Sequence, residues 1–204
     1  MKYSALLLVA IGAMIALPAI AQAPGAAERT RVAGTIATLD GDRLTVKAAD
    51  GGTQTVILSA DAQIYGIEKR HFSDIKPGDF VASGGVRGAD GQIHAVEVRI
   101  FPESMRGIGE GQRPWDVRPE GVMTNATVGT VSQTTDGGIV HVTYKGGQSE
   151  YVVGPEVPVL AYVLADRTLL KTGAVVVTIA AKQPDGSLLT NRVTAEKDGV
   201  KPPM

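Results

Sequence analysis

The chain has 204 residues, enough for one to two ordinary domains, and its 20 Lys and Arg nearly balance its 21 Asp and Glu. Without a basic excess it lacks the strong positive field that holds nucleic acid, and with no cysteine it has no disulfide, thiol nucleophile or thiolate metal site. Aromatic residues make up only 4% of the chain, which argues against a carbohydrate platform of stacked rings, while 25 Gly among short β-branched runs favour many short strands and tight turns.

The elements follow in chain order. Lys2, an uncharged apolar run over 5–17, Pro18 and the small-x-small Ala21-Gln22-Ala23 make the three parts of a secretory signal peptide. The run is shorter than the roughly 20 residues that cross a bilayer as a helix. Cleavage is expected after Ala23, placing the mature chain in the periplasm or outside the cell with no membrane insertion. Residues 24–30 read as a disordered N-terminus. Strands are expected over 31–39, 43–48 and 53–58, with turns at Asp40-Gly41 and Asp50-Gly51-Gly52. A short strand over 62–65 and an irregular stretch or helical turn over 68–75 come next. Lys76-Pro77-Gly78-Asp79 turns into a strand over 80–88, and Asp90-Gly91 into another over 92–101. A connector fills 102–126. Five more strands are expected over 128–133, 139–144, 149–153, 174–182 and 187–194, and residues 198–204 read as a disordered tail.

Residues 32–100 overlay residues 127–195 with an offset of 95, plus one residue around the first turn. Gly34-Thr35-Ile36 falls on Gly129-Thr130-Val131, Leu44-Thr45-Val46 on Val140-His141-Val142, and Asp90-Gly91 on Asp185-Gly186. The expected fold is therefore all-β: two tandem small OB-like β-barrels, 31–101 and 127–197, with a two-sheet sandwich as the alternative. The first core is expected from Leu44, Val46, Val56, Leu58, Phe80, Val96, Val98 and Ile100. The second is expected from Val140, Val142, Val152, Val175, Val177, Ile179, Leu189 and Val193.

Asp74-Ile75-Lys76-Pro77-Gly78-Asp79-Phe80-Val81 followed by Asp90-Gly91-Gln92-Ile93-His94-Ala95 resembles a bacterial family of exported OB-like β-barrel domains of unknown function. In the second half Thr172 and Ala174 replace the Pro and Asp of that turn. The stretch from Arg99 to Asp116 resembles a signature of one subgroup. The resemblance implies a fold and a compartment, not a reaction. Similar sequences sometimes carry a metal-transporter permease label, but a permease needs several membrane spans and no second apolar span follows the first.

The connector carries the main candidate site. It holds Arg106, Arg113, the only Trp, Trp115, and the acids Glu103 and Asp116, and it follows directly on Arg99. Long Gly/Pro loops are often functional, and Trp beside Arg is the composition of binding hot spots. Arg106 and Arg113 would hold an anion with Trp115 as anchor; alternatively Trp115 packs on a barrel and the charges pair with one another. The weak metal candidates are His71, His94 and His141, in three separate elements without the close ligand pairs of zinc sites. No Gly-x-Ser-x-Gly elbow, dinucleotide fingerprint or Walker loop occurs. The expected function is a non-catalytic periplasmic binding or interaction module, without cofactor, for an envelope protein or a small anionic ligand. The alternative is a metal-handling accessory protein of the cell envelope.

Overall fold

The computed structural model describes residues 28–115 and 118–203. They form an all-β protein whose strands are β1 (Arg29–Asp40), β2 (Arg43–Lys47), β3 (Thr53–Arg70), β4 (Phe80–Arg87), β5 (Ile93–Phe101), β6 (Gly111–Pro114), β7 (Gly121–Thr134), β8 (Gly137–Tyr144), β9 (Gly147–Val153), β10 (Val159–Ala165), β11 (Val175–Lys182) and β12 (Leu188–Ala195). Short 3-10 turns sit at Phe72–Asp74, Glu103–Met105 and Arg167–Leu169. The hairpins fall where Asp-Gly pairs place them. Gly41 takes φ 55° between β1 and β2, a value that favours Gly over residues with a Cβ. The signal peptide expected over 1–23 lies outside the described residues.

β1, β2, β3, β12 and β11 close a five-stranded barrel. β1 pairs with β2 and β11, β2 with β3, and β12 joins β11 antiparallel and β3 parallel. Val32, Ile36, Leu44, Val46, Val56, Leu58, Ile64, Val176, Ala180 and Val193 are buried inside it. The other strands lie outside this barrel. β5, β4, β7, β8 and β9 are neighbours in that order, and β5 meets β9 through the parallel pairs Ile93↔Tyr151 and His94↔Val152. They enclose a second core of Val81, Ile93, Val98, Ala126, Val140, Val142, Tyr151 and Val153. β10 joins the two groups, antiparallel to β3 and parallel to β5.

This arrangement corrects the tandem expectation. The barrel takes three strands from the first half of the chain and two from the second. The cause is β3. Ser59-Ala60-Asp61-Ala62-Gln63 contains no Gly or Pro, so the strands expected over 53–58 and 62–65 merge into one strand of 18 residues. β3 carries the chain past the barrel, and β4 and β5 then join the other group.

The core assignments shift accordingly. Val98 belongs to the second core and Val193 to the first. A register shift opposite Gly84 and Gly85 leaves Val96 outside the β4–β5 pairing, half-buried, between the core residues Ala95 and Val98. On β9, Tyr151 and Val153 point inward rather than Val152. On β11, Val176, Thr178 and Ala180 are buried, while Ile179 is 51% exposed. The more apolar face of β11 points out of the barrel, which alternation alone would not suggest.

The boundaries also move. β1 already includes Arg29 and Thr30, placed by the sequence in a disordered N-terminus. β7 begins at Gly121, so the connector is shorter than expected and contains β6. The C-terminal residues 198–203, read as a disordered tail, include a buried Pro202, and Lys197 and Val200 bond to each other.

Candidate functional site

A cleft of about 910 Å³ runs between the outer face of the barrel and the second strand group. Its barrel wall comes from β1, β11 and β12. Antiparallel register sets Arg29 opposite Ala181, Arg31 opposite Ile179, and Ala33 opposite Val177. Residues two apart share a face, so Arg29 and Arg31 stand together beside the outward apolar row Val177, Ile179 and Ala181. Leu189 and Arg192 of β12 extend this wall.

Arg192 is positioned by an irregularity. Between Thr190 and Arg192 the register of β12 on β3 shifts, so that Asn191 faces the bulged segment 59–62. Thr178 and Thr190, both buried, bond to each other at 2.8 Å, and the Thr178 hydroxyl donates to the Arg192 carbonyl at 2.6 Å. These hydroxyls satisfy a backbone group that the shifted ladder leaves free.

The facing wall comes from β4, β5, β6, β7, β10 and the connector. Arg99 donates from Nη1 to the Tyr162 hydroxyl at 3.2 Å and pairs through Nη2 with the buried Glu97. Burial opposes the guanidinium's charge, but Tyr162 and Glu97 outweigh it, so the pKa of Arg99 stands above its ordinary value. The Tyr162 ring stacks on Phe101 at 5.0 Å, and Phe101 contacts Phe80 at 5.5 Å. Asn125, only 5% exposed, donates from Nδ2 to the Ile108 carbonyl at 2.7 Å, which ties the connector to β7.

The connector contributes less than expected, and it is partly structural. Trp115 lies against Gly84 of β4: a Cβ at Gly84 would come within 2.8 Å of its ring. Another part of Trp115 lines the cleft, so the residue packs on a strand and borders the site at once. Arg113 also lines the cleft, with Nη1 donating to the Gly109 carbonyl at 3.0 Å. Arg106 and Glu103 do not line it. Arg106 bonds Glu103 at 2.7 Å and donates to the Gly78 carbonyl at 2.9 Å, clamping the connector to the turn before β4. Asp116 lies outside the described residues. Of the sequence candidates, then, Arg99, Arg113 and Trp115 come together at the cleft.

Arg29, Arg31, Arg192, Asn125 and Tyr162 were missed. Only Arg29 and Arg31 carried a local signal, their spacing of two. The rest depend on which strands become neighbours.

Five arginines thus line the cleft, with Asp61 as the lining carboxylate. Among the described residues Arg29, Arg31 and Arg192 have no carboxylate within 4.0 Å. Three buried side-chain atoms of lining residues have no hydrogen-bond partner among the described residues: Arg99 Nε, Arg192 Nε and Asn125 Oδ1. Asp61 accepts from the Ser59 hydroxyl at 2.6 Å, which holds its carboxyl below the usual carboxylate range.

The histidines lie apart. His71 precedes the first 3-10 turn, His94 sits 3.0 Å from Asp90, and His141 sits 3.1 Å from Glu150. Among the described residues no three His, Asp or Glu gather as a metal set. No protein-family model matches the chain, and no curated protein or solved structure matches it.

Proposed function

We propose that the protein is an exported, non-catalytic binding module that holds an acidic ligand in the cleft between its two strand groups. One observation carries this reading: a chain of net charge -1 concentrates five arginines in a single cleft against two carboxylates, Asp61 in the lining and Glu97 paired with Arg99. Like-charged walls focus the field on an anion. The cleft volume lies in the range of ligand sites, and its wall combines apolar side chains with a few convergent polar groups, as ligand sites do. Export rests on the signal-like residues 2–23. The non-catalytic reading rests on the lining, whose hydroxyl–carboxylate pair is Ser59 and Asp61 with no histidine beside them among the described residues. Metal handling, the alternative, would rest on the pairs His94–Asp90 and His141–Glu150, each offering only two ligands.

The scaffold of this module is a duplicated OB-type unit whose halves exchange their last two strands. The pairings support it. The β3–β10 ladder runs from Ile64↔Ala165 to Arg70↔Val159, and adding 95 to 64 and 70 gives 159 and 165, so the ladder maps onto itself. Likewise Val98↔Val159 of β5–β10 maps onto Val193↔Ile64 of β12–β3, and Ile93↔Tyr151 maps onto Leu188↔Val56. Ala82 and Val177, equivalent under the same offset, both line the cleft, which therefore lies between matching faces of the two units.

The test is calorimetry at low and high salt with a panel of small polycarboxylates and phosphates. Saturable binding is expected, weaker at high salt, and lost when Arg31 and Arg192 are both changed to Gln. Binding that is indifferent to that double variant would reject the cleft.

A further inference from the structure

The chain's own C-terminal segment lies in this cleft. Pro202 is buried, Pro202 and Pro203 line the wall, and Arg31 Nη2 donates to the Pro203 carbonyl at 3.0 Å. We infer that the cleft takes an extended acidic peptide segment of a partner protein, and that Lys201-Pro202-Pro203 is a resident, weak mimic of it. This rests on the reading of the cleft as an acidic-ligand site and adds the class of ligand.

The residues on both walls fit a peptide. Arg31 already grips a main-chain carbonyl, and the prolines line the same cleft as Trp115 and the stacked Phe101–Tyr162 pair, aromatic side chains of the kind that receive extended Pro-containing segments. The side chains of Lys201-Pro202-Pro203 leave the charge unanswered: Lys201 has the same sign as the cleft and the prolines are neutral. Acidic side chains on the same kind of backbone would answer it. Among the described residues Asn125 Oδ1 is a buried acceptor without a donor, whereas Arg99 Nε and Arg192 Nε are buried donors without an acceptor, so side chains that line the cleft hold unanswered groups of both kinds. A peptide presents N–H donors and carbonyl acceptors along one strand. A phosphate chain presents acceptors alone. The cleft volume of about 910 Å³ remains with the tail in place, so a longer segment has room beside or in place of it.

The experiment uses the full chain with fluorescence anisotropy of a labelled peptide of alternating Glu and Pro, and emission of the single Trp115 as a second reading. The acidic peptide should bind saturably and shift the Trp115 emission. Its Gln-Pro counterpart should bind at least about tenfold more weakly. Deleting residues 201–204 should tighten the acidic peptide about threefold or more, because an internal competitor lowers apparent affinity by the fraction of open cleft. If that deletion lowers the melting temperature, Pro202→Gly makes the same measurement with the chain length intact. Arg192→Gln should weaken binding about tenfold with melting unchanged. If citrate binds and shifts Trp115 while neither peptide does, the peptide inference fails and the acidic-ligand reading stands. If neither citrate nor peptide binds, both fail. Tighter binding of oligothymidylate than of the acidic peptide would also overturn the inference, as would an acidic-peptide affinity unchanged by both tail variants.

Discussion

Glu97 and Arg99 show how a single pair both builds and charges the cleft. They are two apart on β5, yet Glu97 is buried and Arg99 reaches the cleft, with its Nη1 on Tyr162. Glu97 is Arg99's carboxylate partner among the described residues. Glu97→Gln would therefore leave a largely buried guanidinium without its counter-charge, at a cost of about 3–5 kcal/mol. Urea unfolding should show that loss. Glu97→Leu combined with Arg99→Met should recover most of it, since an apolar pair replaces a buried ion pair at little cost. If the single and double variants unfold together, the pair contributes nothing as a pair. Arg99 was legible in the sequence as a candidate, being a cationic residue at the edge of an unusual connector. The spacing of two put Glu97 on the same face, but that Glu97 is buried while Arg99 lines a cleft depends on which strands become neighbours.

At the level of strands, local chemistry was legible and pairing was not. Hairpin turns at Asp40-Gly41, Asp90-Gly91 and Asp185-Gly186 stand where turn residues require them. The overlay of Gly34 on Gly129 illustrates the limit. Gly34 pairs with Val176, and the equivalent pair under the offset of 95 is Val81↔Ala126, so Ala126 occupies the position of Gly34. The two glycines answer different needs. A Cβ on Gly34 would fall 2.1 Å from the Lys47 carbonyl oxygen, part of the β2 backbone, whereas one on Gly129 would meet its nearest atom, the His141 carbonyl oxygen, at 3.6 Å. Gly34→Ala must push β1 away from β2 and should lower stability by about 1–3 kcal/mol or more. Gly129→Ala should be neutral or stabilising by about 0.4–1 kcal/mol, because it restricts only the unfolded chain. Thermal melts of the two variants should move in opposite directions, or Gly34 alone should move. Equal losses would mean that the two glycines are equivalent after all. The sequence could not separate them, because a glycine needed for close approach and one tolerated in a strand look alike until the neighbour is known.

The whole molecule should respond to pH through many shallow contacts rather than one switch. Glu68, Asp90, Asp166 and Asp185 are all held below the usual carboxylate range: Glu68 by Lys197 and then Arg70, the three aspartates by hydrogen bonds from residues two to four positions on. A depressed folded pKa contributes stability above the unfolded value and loses it as pH falls through the folded one, so acid should destabilise progressively below about pH 4. Tyr151 moves the other way, raised by burial, and its contribution is lost as pH rises above about 10. Urea midpoints should be flat between these limits; a transition near pH 6.5 would place a histidine in control instead. The mixing of strands from the two halves of the chain has the larger consequence. A barrel that takes β11 and β12 from the second half cannot close from the first half of the chain while β3 continues as one strand through the bulge at 59–62. Residues 28–101 alone still carry β4 and β5, which are expected in the equivalent positions. Two such fragments can complete each other, the β4–β5 hairpin of each lying where β11–β12 lie here, and light scattering after size exclusion should find a dimer. Inserting Asn-Gly between Ala60 and Asp61 offers β3 a tight turn, lets one fragment fold back on itself, and should yield a monomer. A folded monomer of the unaltered fragment would show that β3 folds back unaided and that its continuity is not what brings β11 and β12 into the barrel.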